Sequence, residues 1–438
     1  MKVEIEHVEP CVRRLTIEVP AEKVNQEFGT IYNDLQKRVK MPGFRQGKVP
    51  RRLLENYYRQ TVEQEVLRKL VPEALSEVMV KENVASVGEP QIDQIALEKG
   101  QPLRFVATTQ VVPDFTITDY HDWTFERRIP EVTETHIAQT LENIRARHAI
   151  LQNVEDRAVH EGDVVILDYT SSLDGRHVPG VAGTKVSVEV GSGQSLPEIE
   201  QGLIGMTRGE EKSITVHFPA DLRNATLAGQ VGQCHVVVVE IKEKLLPDLD
   251  DDFARSAYEE VDSLEALRVK VREELEKVAR QRADAVVQRD ILQRLVADHP
   301  IDVPDVLIQE ELRRAYLQQR RQETDGQLTE ADYHVAPESL RAAFGAQALE
   351  AVRGQLILRH IATEAELTVA DTEVDAEVAV LAARTAQNPE ALKKTMERNG
   401  SLRTLEANLL ESKVFTKLMT EMQITDTTVS ADAVGSET

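Results

Sequence analysis

Between Lys37 and Arg59 eight side chains are basic (Lys37, Arg38, Lys40, Arg45, Lys48, Arg51, Arg52 and Arg59), and Glu55 is the one acid among them. At their centre stands Met41-Pro42-Gly43-Phe44-Arg45-Gln46-Gly47-Lys48-Val49-Pro50. Two prolines and two glycines shape such a string into a turn. Arg and Lys gathered on a turn can displace the counterions of phosphates, and Phe44 beside Arg45 adds an apolar tip able to pack or stack on a partner. The bland alternative is a solvated basic loop with Phe44 folded back as a plug. Little else in the chain competes as chemistry. The 11 histidines are scattered, with no HExxH and no neighbouring cysteine, so no metal site is expected. Gly191-Ser192-Gly193 begins like a nucleotide loop, but Leu196 stands where the third glycine belongs. The carboxylate runs at Asp248–Asp252 and Glu273-Glu274 read as solvated helix flanks. Cys11 and Cys234 form no CxxC pair and read as reduced, structural thiols. No cofactor is expected.

Charge is divided unevenly along the chain. Of 52 basic and 75 acidic side chains, 17 and 16 lie in residues 1–113, which leaves 35 and 59 for the rest. So acidic a remainder argues against nucleic-acid binding by the whole chain, and an anionic partner must be met by a local patch in the first segment. A length of 438 residues exceeds what one hydrophobic core supports. No stretch approaches the roughly 20 apolar residues of a membrane helix, and Met1-Lys2-Val3-Glu4-Ile5-Glu6 lacks an apolar signal core. A cytoplasmic location follows as the expectation.

The elements that must carry the basic turn are legible as periodicities. Val3–Glu6 and Arg14–Val19 alternate as half-buried strands do. Pro20 opens a helix whose Val24, Phe28, Ile31, Tyr32, Leu35 and Val39 form one apolar stripe. A second helical stretch runs to about Lys81, and strands return near Gln91–Ile95 and Leu103–Val112. Residues 114–155 show no clear core of their own and read as a connector. From 156 to 246 glycines and short Val/Ile runs, among them Val164–Leu167, Val186–Val190 and Val236–Ile241, predict a small antiparallel sheet with one short helix near Pro197. After Pro247 the chain reads as helical to residue 423, with Asp262 or Ser263 capping a long helix that His299-Pro300 stops. Further helices are expected at about 305–322, 337–364, 371–386 and 401–423. Residues 424–438 read as a disordered tail. The fold class expected is multidomain α+β.

Two sets of residues carry a resemblance. Gly43-Phe44-Arg45-x-Gly47-Lys48-x-Pro50 resembles the ribosome-binding loop of the trigger factor family. Asp168-Tyr169-Thr170-Ser171 and Gly202-Leu203-Ile204-Gly205-Met206-Thr207-Arg208-Gly209-Glu210 resemble FKBP segments, and the order of head, FKBP-like domain and helical body is similar to the family's. The resemblance implies a ribosome-associated chaperone for nascent polypeptides with a peptidyl-prolyl isomerase domain. It places Gly43, Phe44, Arg45, Gly47 and Lys48 against protein and RNA of the large ribosomal subunit, and it leaves open a homodimer of the free protein. Gln46 stands where the family often has a third basic residue, which implies weaker docking.

Prolyl isomerisation needs no acid, base or metal. Its barrier of about 18–20 kcal/mol is the loss of amide conjugation, which a dry, aromatic-lined pocket lowers by holding the twisted form. The resemblance maps that pocket onto Tyr169, Val178, Val186, Leu196, Ile199, Leu222 and Cys234, of which only Tyr169 is aromatic. Weak catalysis is therefore expected. The alternative reading is a free FKBP-type isomerase that never docks on ribosomes.

Overall fold

The structure is a computed structural model that describes residues 1–42, 44–98, 100–173, 176–219, 228–324 and 326–430, with the backbone alone for 176–181. In chain order, β1 (Lys2–Glu9) and β2 (Val12–Val19) lead into α1 (Ala21–Arg38), α2 (Arg51–Tyr57) and α3 (Arg59–Lys81), and β3 (Ser86–Ala96) and β4 (Leu103–Val111) follow. The four strands form an antiparallel sheet in the order β1-β2-β4-β3. Period-two alternation sends Leu15, Ile17 and Val19 of β2 and Leu103, Phe105 and Ala107 of β4 to one face, where all are buried. Val24, Phe28 and Tyr32 of α1 and Val62, Val66 and Leu70 of α3 join them in one core. Each such aliphatic side chain contributes about 1.5–3 kcal/mol by leaving water, so the basic turn between α1 and α2 stands on a firm frame.

The middle of the chain holds β5 (Thr124–Pro130), α4 (Glu134–Arg147), β6 (Ile150–Val154), β7 (Val164–Leu173), β8 (Arg176–Glu189), α5 (Pro197–Leu203), β9 (Glu211–His217) and β10 (Val231–Leu245). A five-stranded antiparallel sheet runs β6-β10-β7-β8, with β9 also paired to β10. Its core gathers Val165, Leu167, Leu203, Met206, Val216, Val236 and Val238. Helices α6 (Asp251–Ala257), α7 (Leu264–Asp298), α8 (Asp305–Glu323), α9 (Glu330–Tyr333), α10 (Pro337–Glu364), α11 (Asp371–Arg384), α12 (Pro389–Asn399) and α13 (Ser401–Glu421) follow, and β11 (Gln423–Val429) comes after them. Ser263 is the cap expected for α7, its Oγ accepting the Ala266 N–H at 3.2 Å. Among the described residues no helix is long and apolar enough to cross a membrane.

Two compact units divide these elements, one of residues 1–127 and 285–426 and the other of 128–284 and 427–438. The expected connector does not hold as a coreless link. Within the first unit Phe115, Ile117, Trp123 and Phe125 pack with Ile291, Ile357 and Phe415. Within the second, Ile137 and Leu141 of α4 are buried with Phe253, Val261, Leu267 and Val271, and β6 is a strand of the five-stranded sheet. Each piece is too short to show a core alone, because its apolar partners lie far away in sequence.

The disordered tail is corrected as well. Gln423–Val429 is a strand paired with β5. The Gln423 N–H donates to the Trp123 carbonyl at 3.0 Å and the Glu131 N–H to the Val429 carbonyl at 2.9 Å, so the two strands run in parallel. Threonines weigh toward disorder by polarity, but they are β-branched and suit a half-buried strand. Residues 431–438 of the expected tail lie outside the described residues. Helix α12 was not expected, and α13 ends at Glu421 instead of 423.

Trp123 is the chain's one tryptophan, is buried, and has Arg294 at 4.2 Å over its ring. Ending the chain after Met422 should therefore red-shift its fluorescence and lower unfolding stability by about 1–3 kcal/mol. Unchanged emission and an unchanged midpoint would show that β11 contributes nothing.

Candidate functional site

The basic turn is fixed from within. Val49 is buried in the head core, and its carbonyl accepts the Gln36 side-chain amide at 2.7 Å. The Phe44 N–H donates to the Met41 carbonyl at 3.2 Å and the Lys48 N–H to the Arg45 carbonyl at 2.9 Å. Gly47 takes φ +82°, a left-handed conformation that suits glycine. Gln46 donates to the Lys37 carbonyl at 3.1 Å, closing one of the open carbonyls at the end of α1. That role for Gln46 was not visible in the sequence, where it reads only as a missing cation.

Phe44 is 41% exposed, so it is not a buried plug. With Lys40, Met41, Pro42 and Gln46 it lines a shallow hollow of about 450 Å³. The eight cations divide into two sets. Lys37 pairs with Asp34 at 3.0 Å, Arg51 with Glu55 at 3.2 Å and Arg59 with Glu63 at 2.8 Å. Arg38, Lys40, Arg45, Lys48 and Arg52 are exposed and make no ion pair among the described residues. A rigid turn thus presents an aromatic tip amid five uncommitted cations, which suits a phosphate-bearing partner. Gly43 lies outside the described residues.

In the five-stranded sheet, Tyr169 of β7 and Leu196 and Ile199 at the start of α5 are half-buried against a core that includes Cys234 of β10. Cys234 stands opposite Ser171 in the ladder. Burial pushes its thiol pKa up, and a hydrogen bond with Ser171 offsets part of that, so it is an inert core group. Val186 of β8 and the Tyr169 ring border the same space beside Gly183. Five of the seven expected pocket positions are thus drawn to one side of the sheet; the Val178 side chain and Leu222 lie outside the described residues. The pocket has no acid or base aimed into it, as this chemistry allows.

A buried carboxylate holds the pocket's floor. Glu200 of α5 is 6% exposed and accepts the N–H groups of Gly191 at 2.9 Å, Gly193 at 3.2 Å and Ser195 at 3.0 Å. The glycine turn that resembled a nucleotide loop is an amide nest filled by the chain's own anion. Burial alone would raise the Glu200 pKa; the three amides and Ser192 outweigh it and hold the carboxyl below its ordinary value. Its only signal in the sequence was an acid placed shortly after a Gly-x-Gly turn. Asp163 is a second such group, held low by the guanidinium of Arg157 and also accepting the His160 N–H at 2.8 Å.

The fold and these two sites define a class: an FKBP-type antiparallel sheet in one chain with a basic-looped α+β head and a helical body. Comparison with known proteins bears on it directly. The profile described as bacterial trigger factor protein matches residues 1–144, FKBP-type peptidyl-prolyl cis-trans isomerase matches 155–242, and bacterial trigger factor protein C-terminus matches 263–420. The chain is 30% identical over 429 residues to the trigger factor of Desulforudis audaxviator, covering 97% of this chain and 98% of that one. To the trigger factor of Pelotomaculum thermopropionicum it is 31% identical over 433 residues, with 98% and 99% covered. A solved structure titled "Promiscuous Substrate Recognition in Folding and Assembly Activities of the Trigger Factor Chaperone" shares the fold at a TM-score of 0.55 and 19% identity, covering 95% of this chain and 99% of that one. The chain belongs to the trigger factor family.

Because the folded-state pKa of Glu200 is depressed, its contribution to stability is present above the ordinary Glu range and is lost as pH falls through the folded value. Replacing Glu200 with Gln should cost about 1–3 kcal/mol at pH 7 and flatten the acid limb of the stability profile below about pH 4.5. An unchanged acid limb would contradict the nest as a source of stability.

Proposed function

We propose that this protein is a ribosome-associated chaperone that docks through the Phe44 turn and shields nascent polypeptides with its helical segments. The single observation that carries the reading is the turn itself: Phe44 exposed, and Arg45 and Lys48 unpaired on a hydrogen-bonded frame, in a member of this family. Large-subunit protein and RNA at the tunnel exit are the partners this chemistry fits, and the cytoplasm is where such a partner is met. For clients, the helices expose aliphatic and aromatic side chains, with Val286, Tyr333 and Val380 among the largest. Scattered apolar contacts within a charged surface suit weak, sequence-tolerant binding. The isomerase domain contributes a proline-accepting pocket with little catalytic power, since aliphatic Val186, Leu196 and Ile199 line it. A free isomerase without ribosome docking would have no use for five uncommitted cations around an exposed phenylalanine.

Replacing Phe44, Arg45 and Lys48 together with Ala should abolish co-sedimentation with ribosomes and leave the melting transition in place. For the unaltered chain, raising salt from about 50 to 200 mM should weaken binding roughly 10²-fold if about four phosphates are engaged. Binding that persists in the triple variant, or that ignores salt, contradicts this docking role.

Catalysis gives an independent check. Each lost aromatic contact in the transition state removes about 0.5–1.5 kcal/mol, so acceleration of a proline peptide should fall roughly 10- to 10³-fold below an aromatic-lined relative. Installing Phe at Val178 and Ile199 together should recover part of it. Robust turnover by the unaltered chain would show that the aromatics matter less than their chemistry suggests.

A further inference from the structure

Strand β8 is irregular at one place, and the irregularity faces the pocket. In the β7–β8 ladder Leu167 stands opposite Val186 and Tyr169 opposite Gly183, so Thr184 and Lys185 together oppose the single residue Asp168. This is a bulge on β8. Lys185 takes φ +53°, a region that residues with a Cβ rarely visit. Its backbone N–H donates to Oδ1 of Asp168 at 2.7 Å. On the near side of the bulge, a Cβ added to Gly183 would lie 2.6 Å from Cε1 of Tyr169 and 2.6 Å from Cγ2 of Val186. The Gly183 backbone is therefore flush against the Tyr169 ring.

These observations converge on one device. The bulge turns the strand so that Gly183 and Val186 close on Tyr169, and a non-glycine residue at its crest needs an acceptor to hold it there. We propose that Asp168 is the positioning residue of the prolyl pocket, acting through the Lys185 amide to set the ring of Tyr169. The inference rests on the isomerase reading for its purpose, though not for its geometry. The carboxylate exchanges no proton with substrate. It fixes a wall whose shape decides whether a proline ring is gripped, and one surviving aromatic makes that position count for more.

Four full-length proteins test it: the unaltered chain, Asp168→Ala, Lys185→Gly, and the two changes combined. NMR on the free proteins follows Lys185 amide exchange and the Tyr169 ring resonances, and titration with a proline-containing tetrapeptide follows the same ring. Asp168→Ala should speed exchange by about ten- to a hundredfold, the span of one charge-assisted hydrogen bond, shift the ring resonances and weaken peptide binding. Lys185→Gly alone should leave the ring in place. The double variant should restore ring position and affinity, because glycine adopts positive φ without help. An unmoved ring in Asp168→Ala, even with lowered thermal stability, would mark Asp168 as a strand stabiliser only and overturn the proposal. A double variant no better than the single one overturns it too. If the unaltered chain binds no peptide, the isomerase reading fails by itself, and the free-protein ring shifts still decide the role of Asp168.

Discussion

Burial of Trp123 among Ile291, Ile357, Phe415 and Leu418 is the constraint on which the first unit depends. It joins residues 1–127 to residues 285–426 as one compact body, although the whole isomerase sheet intervenes in sequence. Polar contacts give the join its register. Nδ1–H of His299 donates to the Leu295 carbonyl at 2.7 Å, which leaves Nε2 to accept the Thr118 N–H at 2.8 Å. The Tyr120 hydroxyl donates to Glu421 at 3.2 Å, and burial, with that carboxylate beside it, pushes its pKa up to about 12. Apolar area provides the stability of this join, and directional bonds to His299 and Glu421 select one arrangement of it.

The same division of labour recurs at the pocket. Its aliphatic lining supplies dryness, while two carboxylates act on the backbone that carries the lining. Glu200 gathers the amides ahead of α5, and Asp168 holds the crest of β8. Both are acids in a site whose chemistry needs none, and their work is to fix shape. This is consistent with a domain that keeps its fold while its aromatics are reduced to Tyr169.

How far this was legible in the sequence depended on the range of the interaction involved. The head's strands and α1 follow from local alternation and the Val24–Phe28–Tyr32 stripe, and both stand as expected. The Phe44 turn was legible because Pro, Gly and cations are local signals. Residues 114–155 read as coreless because Trp123 and Leu141 find their partners only across long sequence separations. Strand β11 was missed because Thr425, Thr427 and Thr428 look polar until a neighbouring strand covers one face. Gln46, Asp168 and Glu200 were missed as anchors because a side chain's bond to a distant backbone amide or carbonyl leaves no periodic trace.

The central claim is a separation of tasks: the basic turn meets the ribosome, the helical segments meet clients, and the isomerase sheet is secondary to both. Hydrogen–deuterium exchange on the full chain tests it in one experiment, comparing the free protein with the protein given ribosomes and with the protein given an unfolded, proline-free client. The account predicts slowed exchange over residues 37–52 with ribosomes, and over helical segments after 263 with the client. Protection concentrated in the five-stranded sheet under both conditions, with the turn unchanged, would contradict it.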